Sequence, residues 1–452
     1  MPVRRGSSRL GAPSRASESF DLVITGRAWV AGRLRAVEIG VDEQGRIGLV
    51  ARSVRSSGAR VDLGEAVLLP SATDVHVHFR DPGGPDPAET FESGTEGAAL
   101  GGVGAVVDMP NTEPTVTDRQ RWEGKAGRAR GRLAVDVVLF GAAESPRAVR
   151  SLAPVAGGLK LYLGPTTGTE SEWDPASVRE VLAAASATDL PMSVHAEWAP
   201  AFGTSADPPS STEDWNRLRP PASETEAVKL LLPASPHLRL HVAHTTLAST
   251  VDRLASEYVS CEATPHHLLL HAASGDDAYR KTNPPLRTEA DRAALWARFA
   301  AGAVPMLASD HAPHHGDSKD RSFALAPSGV PGVETMLPLF LELVRAGRLP
   351  LPVLTAAAMD RPARWLGLPQ GRLAAGHRAN FIAVDFRRRG RVAAARLRSG
   401  AGWSPFEGWA TIVPTWHFRD GIPIVEKGEL VGGHPGRVVR PEYLSPRAAR
   451  AL

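Results

Sequence analysis

Apolar residues in the middle of this chain come in short runs of strand length. The runs lie at 68–78 (LLPSATDVHVH), 103–110 (VGAVVDMP), 134–143 (AVDVVLFGAA), 157–163 (GGLKLYL), 190–197 (LPMSVHAE), 238–245 (LRLHVAHT), 259–267 (VSCEATPHH) and 303–311 (AVPMLASDH). Helix-compatible stretches separate most of them, among them 175–187, 223–233 and 289–301. Strands that are apolar nearly throughout belong to a sheet buried on both faces, which is the environment of a parallel sheet covered by helices. Eight of them alternating with helices predict a closed (β/α)8 barrel of the TIM type. An open, doubly wound sheet is the structural alternative. No G-x-G-x-x-G follows an early strand, which weakens it.

The two ends have another rhythm. Residues 20–69 and 372–430 read as short strands separated by turns, as in FDLVITG, RAVEIGVD and ANFIAVDF. The fold class expected is therefore α/β: a barrel over 70–365 and a small β-sandwich domain built from both ends, 19–69 with 366–442. Residues 1–18 are rich in Arg, Ser and Gly and lack the apolar core of a secretory signal. They read as a disordered tail, with a transit peptide as the alternative.

Composition narrows the partners. The 452 residues carry 52 basic and 49 acidic side chains, with no concentrated basic stripe, so no nucleic-acid partner is expected. No apolar run approaches the ~20 residues of a membrane span. One cysteine excludes an intrachain disulfide and makes a reducing cytoplasm the simplest location. There are six lysines against 46 arginines.

The candidate chemistry gathers at strand ends. His76 and His78 close the first run, His195 the fifth, His241 and His244 the sixth, and Asp310 with His311 and His314 the eighth. Residues i and i+2 of a strand face one side, so His76 and His78 can bind one ion together. Strand ends of a barrel meet at one mouth. Four imidazoles and a carboxylate suit zinc or a similar divalent metal. Lys160 stands inside an apolar strand of a chain that otherwise prefers arginine. Arginine stays protonated, whereas a desolvated lysine amine can become neutral. A neutral amine can capture CO2 as a carbamate, an anionic group able to bridge two metals. A lysine snorkelling from a strand edge is the alternative. Two bridged metals would share a hydroxide, with Asp310 as ligand and proton carrier.

H-x-H-x-R, the strand-four lysine, the histidines after strands five and six and the aspartate after strand eight resemble the amidohydrolase superfamily. DMPNTEPT (108–115), KTNPPLR (281–287), SDHAPH (309–314), SGVPGVETMLPL (328–339) and SPFEG (404–408) resemble dihydroorotases. GLKLYLG is similar to their carboxylated-lysine branch. The resemblance covers roughly residues 19–430. It implies reversible cyclisation of N-carbamoyl-L-aspartate to L-dihydroorotate in pyrimidine biosynthesis. It implies two Zn2+ per chain: His76 and His78 on the more buried ion, His195 and His244 on the other, carboxylated Lys160 and hydroxide between them, and Asp310 as ligand and proton shuttle. It assigns the substrate carboxylate to Arg80, Asn111 and His314, the ring to Asn283, pocket backbone to Ser328 and Gly329, and a loop contact over 165–170 to Thr166. Some members carry a cysteine where this chain has Ala243, so no third metal site is carried over. Glu262, His266 and His267 read as supporting residues. A homodimer is common among similar proteins, and a partnership with aspartate transcarbamoylase is possible within the family. A cyclic-amide hydrolase for hydantoin or allantoin, and a non-catalytic scaffold, are the alternatives.

Overall fold

The computed structural model describes residues 19–30, 33–83, 87–170, 172–234, 236–256, 259–275 and 278–441; the tail expected at 1–18 lies outside them. The chain opens with β1 (Ser19–Val30), β2 (Arg33–Val41), β3 (Ile47–Ala51) and β4 (Arg55–Pro70). The expected first barrel run, 68–78, is in fact two strands. Leu68, Leu69 and Pro70 end β4, paired with Ala383, Ile382 and Phe381. Pro70 has no N–H to continue a ladder. The barrel begins at β5 (Ala72–Val77), where the Ala72 amide donates to Gly102.

The other barrel strands are β6 (Val103–Asp108), β7 (Asp136–Ala142), β8 (Gly158–Tyr162), β9 (Met192–His195), β10 (Leu240–Val242), β11 (Ser260–Ala263) and β12 (Met306–Leu307). They neighbour one another in chain order, all parallel. Val77 pairs in parallel with His311, and the His78 amide donates to the His311 carbonyl at 2.7 Å. That bridge joins the last strand to the first. Helices cover the outside, and several start where the sequence offers a cap. Asp174 accepts from the amides of Ala176 and Ser177 to open Pro175–Ser186, and Thr288 accepts from Asp291 to open Glu289–Ala300. The helix expected at 223–233 begins earlier, at Pro221, because proline fits the first helical position.

After the barrel, β13 (Phe381–Val384), a short ribbon of β14 (Gly390–Arg391) and β15 (Ala410–Thr411), β16 (Trp416–Arg419), β17 (Ile422–Glu426) and β18 (Glu429–Leu430) follow. Except for the ribbon, these join β1–β4 in one eight-stranded sheet of order β18-β17-β16-β13-β4-β1-β2-β3. Ile24, Ile39, Leu68, Phe381 and Phe418 form its main apolar cluster. The sheet grips the barrel at the start of its strands: buried Asp136, first residue of β7, takes Arg419 at 2.7 Å. The opposite end, where the strands finish, is left to the candidate site. Among the described residues, no helix is long and apolar enough to cross a membrane.

Candidate metal centre and active site

His76 is fully buried in β5, and His78 follows the strand's last residue. The His76 Nδ1 lies 2.5 Å from Glu262 Oε1, and Glu262 Oε2 lies 2.8 Å from His241 Nε2. The His78 Nδ1 lies 2.6 Å from Asn111 Oδ1. The Asn111 Nδ2 donates to the Thr167 carbonyl at 3.1 Å, which fixes its Oδ1 as the acceptor for His78. Both histidines thus carry their proton on Nδ1 and turn the Nε2 lone pair inward. These two nitrogens are only 3.2 Å apart, and Asp310 Oδ1 stands 3.3 and 3.2 Å from them. Two lone pairs and a carboxylate oxygen facing one another repel unless a cation lies between them. The three donors fall within 4.8 Å of one another. Burial pushes the His78 pKa down to about 3, so the ring is neutral, the form that ligates metal. The residues fit a divalent ion.

His195 ends β9, and His244 follows β10 by two residues. His195 Nε2 donates to Glu197 at 2.9 Å, which turns its Nδ1 toward His244 Nε2, also 2.9 Å away. Burial lowers the pKa of both rings. Lys160 reaches in from β8, 1 % exposed, with its Nζ 3.2 Å from His76 Nε2. Among the described residues no carboxylate pairs with it. Burial pulls its pKa down to about 8, with Glu262 and Asp310 acting against the shift. The buried Lys125, by contrast, has Asp108 at 2.8 Å. A buried amine with no carboxylate partner, beside five metal-type donors, fits a ligand-forming group.

The expected substrate residues stand around the same chamber. Arg80 donates to the Pro313 carbonyl at 2.9 Å and keeps a buried Nε without partner among the described residues. Burial lowers its pKa to about 10, so it remains a cation near neutral pH. Asn283 Nδ2 donates to Thr166 Oγ1 at 3.1 Å. His314 lies 3.0 Å from the Ser328 carbonyl, which also accepts from Thr167. Gly329 has φ of 134°, and an added Cβ would meet the Ala312 carbonyl oxygen at 2.5 Å, so glycine is required there. His314 lines the wider outer cleft, of about 890 Å³, together with Arg80 and Asn111; the other named residues line the inner chamber. Asn111 differs from expectation in one respect. Both ends of its amide are occupied within the protein, by His78 and Thr167.

Backbone strain concentrates here. Arg80, His244 and Asp310 have φ of 53, 35 and 47°, three of the five non-glycine residues in that region among those described. Such a conformation costs of order 1–3 kcal/mol and persists where the surroundings enforce it. Around Asp310 they do: His311 donates its backbone amide to Ser309 Oγ, and its ring bonds Glu89 and the Gly332 amide.

Sequence reasoning did not single out Glu197, Arg219, Tyr162 or Thr167. H-x-E at 195–197 was the available signal for Glu197. Arg219 binds Glu197 at 2.6 Å, and nothing in the spacing links the two. Tyr162, two residues after Lys160, lines the chamber with a buried hydroxyl that has no partner among the described residues. Glu262, read from the sequence as a supporting residue, lies against His76 and His241. His267, bonded to Thr264 and near the Pro284 carbonyl, is structural. His266 lines the chamber.

No protein-family model matches the sequence. Curated relatives do. A dihydroorotase of Halobacterium salinarum is 34% identical over 429 residues, spanning 90% of this chain and all of that protein. The chain belongs to the dihydroorotase family. A second dihydroorotase, from Methanosarcina acetivorans, is 34% identical over 443 residues, 91% of this chain and 93% of that protein. A solved structure, the L-hydantoinase (dihydropyrimidinase) of Arthrobacter aurescens, superposes with a TM-score of 0.84 at 25% identity, covering 93% of this chain and 100% of that one. The dihydroorotase family thus shares its barrel with hydantoinases, and the side chains around the chamber have to separate the two.

Proposed function

We propose that this chain is a dihydroorotase, interconverting N-carbamoyl-L-aspartate and L-dihydroorotate for pyrimidine synthesis, with two zinc ions as cofactor. The observation that carries the reading is the convergence of His76, His78 and Asp310 on one point beside a buried Lys160 that has no carboxylate partner among the described residues, with Arg80 at the chamber wall. His76, His78 and Asp310 would hold one ion, His195 and His244 the other, and a carboxylated Lys160 both. When bound, such ions acidify a water and polarise the amide carbonyl.

The protein's own groups do the rest. Arg80, cationic and with a free Nε, meets the ring carboxylate. Asn111 Nδ2 exchanges the Thr167 carbonyl for that carboxylate, and His314 flanks it. Asn283, Thr166 and the backbone of Ser328 and Gly329 hold the ring amide. In ring opening water adds to the carbonyl, and the C–N bond breaks. Asp310 receives the water's proton on its carboxylate and returns it to the leaving ring nitrogen. Closure consumes a proton and is favoured at low pH; opening is favoured at high pH. A homodimer, an association with aspartate transcarbamoylase and a cytoplasmic location belong to the same reading.

A hydantoinase fits the fold but has no use for Arg80, because hydantoin bears no ring carboxylate. Purified protein of known metal content should open dihydroorotate and leave hydantoin and allantoin largely untouched. Opening of the latter two with no turnover of dihydroorotate would overturn the assignment.

A further inference from the structure

Glu197 is fully buried two residues beyond His195. Its Oε2 accepts from His195 Nε2 at 2.9 Å and from Arg219 Nη2 at 2.6 Å, while Arg219 Nε lies 3.2 and 3.1 Å from the two carboxylate oxygens. The same Nη2 donates to the Pro165 carbonyl at 3.0 Å. Pro165 opens the 165–170 loop, whose Thr166 and Thr167 reach Asn283 and Ser328 across the chamber. The guanidinium is held by the Phe202 ring at 4.4 Å and the Trp215 ring at 5.4 Å, and the Arg219 carbonyl accepts from Arg287. The two rings and the bonds to Glu197 hold the planar fork in place. In that orientation its donors serve two acceptors on different elements: the carboxylate that orients His195, and the first residue of the loop.

We propose that Arg219 is a positioning residue that couples the 165–170 loop to the ligand His195 through Glu197. The inference rests on the two-metal reading above. A shift of the loop draws Nη2 from Glu197, Glu197 loosens its hold on His195 Nε2, and the ring loses the orientation that aims Nδ1 at the site. The dependence is reciprocal: filling the His195–His244 half fixes His195, and through Glu197 and Arg219 it orders the loop. A lysine, a single point of charge, cannot span both acceptors in the same way.

The test is zinc titration of the metal-stripped full chain, with hydrogen exchange followed at Thr166–Thr169. Wild-type protein should bind two zinc ions, with loop exchange slowing as the second site fills. Arg219→Met should leave the first site unchanged, weaken the second about 10–100-fold, the usual cost of losing a ligand's supporting partner, and abolish the loop's response. Arg219→Lys should recover part of the second-site affinity without the loop response. Phe202→Leu, which loosens one face of the stack, should give the same split on a smaller scale, and serves if Arg219→Met does not fold. Two zinc ions in wild type with unchanged second-site affinity in Arg219→Met would overturn the coupling alone. So would equal weakening of both sites, or a loop that still responds to zinc. One zinc ion in wild type would overturn the two-metal reading and the coupling with it.

Discussion

Around His76 and His78 every ring nitrogen has a defined task; around His195 and His244 one does not. In the first half, Glu262 and Asn111 fix both tautomers, and Asp310 supplies a third donor within reach. In the second, Glu197 fixes His195, but the buried Nδ1 of His244 has no partner among the described residues, and the donors that face one another are His195 Nδ1 and His244 Nε2. Zinc takes four ligands in structural sites and at least three protein ligands in catalytic ones. The first half approaches that number with unmodified side chains. The second depends on what Lys160 becomes. The difference teaches that, on the two-metal proposal, the two ions would be held unequally, and the lysine would set the weaker one.

The sharpest way to break the comparison is Asp310→Asn. The amide is a poor ligand and holds no proton, so the His76–His78 half would lose its third donor and the proposed reaction its proton carrier. Ring opening and closure should both fall by about 10³-fold or more, assayed in each direction beside zinc content. Retained turnover would remove Asp310 from the proton path.

Lys160→Ala acts on the other side. It should leave about one zinc per chain and lower activity about 100-fold. Acetate or propionate should restore part of both, since a small carboxylate can fill the place of the carbamate. Loss of both metals together would mean that the halves are not independent.

These residues differ in how legible they were. His76 and His78 were readable because a strand's two-residue period places them on one face. Lys160 was readable because lysine is rare in this arginine-rich chain and the run around it is apolar. The barrel followed from eight apolar runs, yet the strands are shorter than the runs. The sixth keeps three ladder residues and the eighth two, because the chain turns off through left-handed conformations at His244 and Asp310. No local pattern announces such turns; tertiary contacts enforce them. Glu197 and Arg219 meet only through the fold. For Asn111 the residue type pointed to the site, but not which hydrogen bonds its amide would make.

A smaller effect sharpens the comparison within the first half. Glu262 takes bonds from His76 and His241 at once, as only a carboxylate with two acceptor oxygens can. Glu262→Gln has a single acceptor oxygen and no charge to favour the Nδ1–H tautomer of His76. Glu262 Oε1 also accepts the His244 amide at 3.2 Å, so the first zinc should weaken about 10–100-fold and the second by less, the opposite order to Arg219→Met. Calorimetric titration of both variants decides it.

The smallest expected effect concerns pH. Only the neutral amine of Lys160 reacts with CO2, and burial pulls its pKa to about 8. Its neutral fraction rises roughly fivefold between pH 7 and 8, so carbamate formation rises in that direction. The His78 ring, at about 3, is already neutral throughout and adds nothing to the trend. Metal-stripped protein given zinc and bicarbonate should therefore take up its second metal a few-fold more readily at pH 8 than at pH 7, and the first about equally at both. Lys160→Glu carries its own carboxylate and should show no dependence on bicarbonate. Wild-type uptake that ignores bicarbonate at both pH values would make the amine itself, rather than a carbamate, the group that completes the second half.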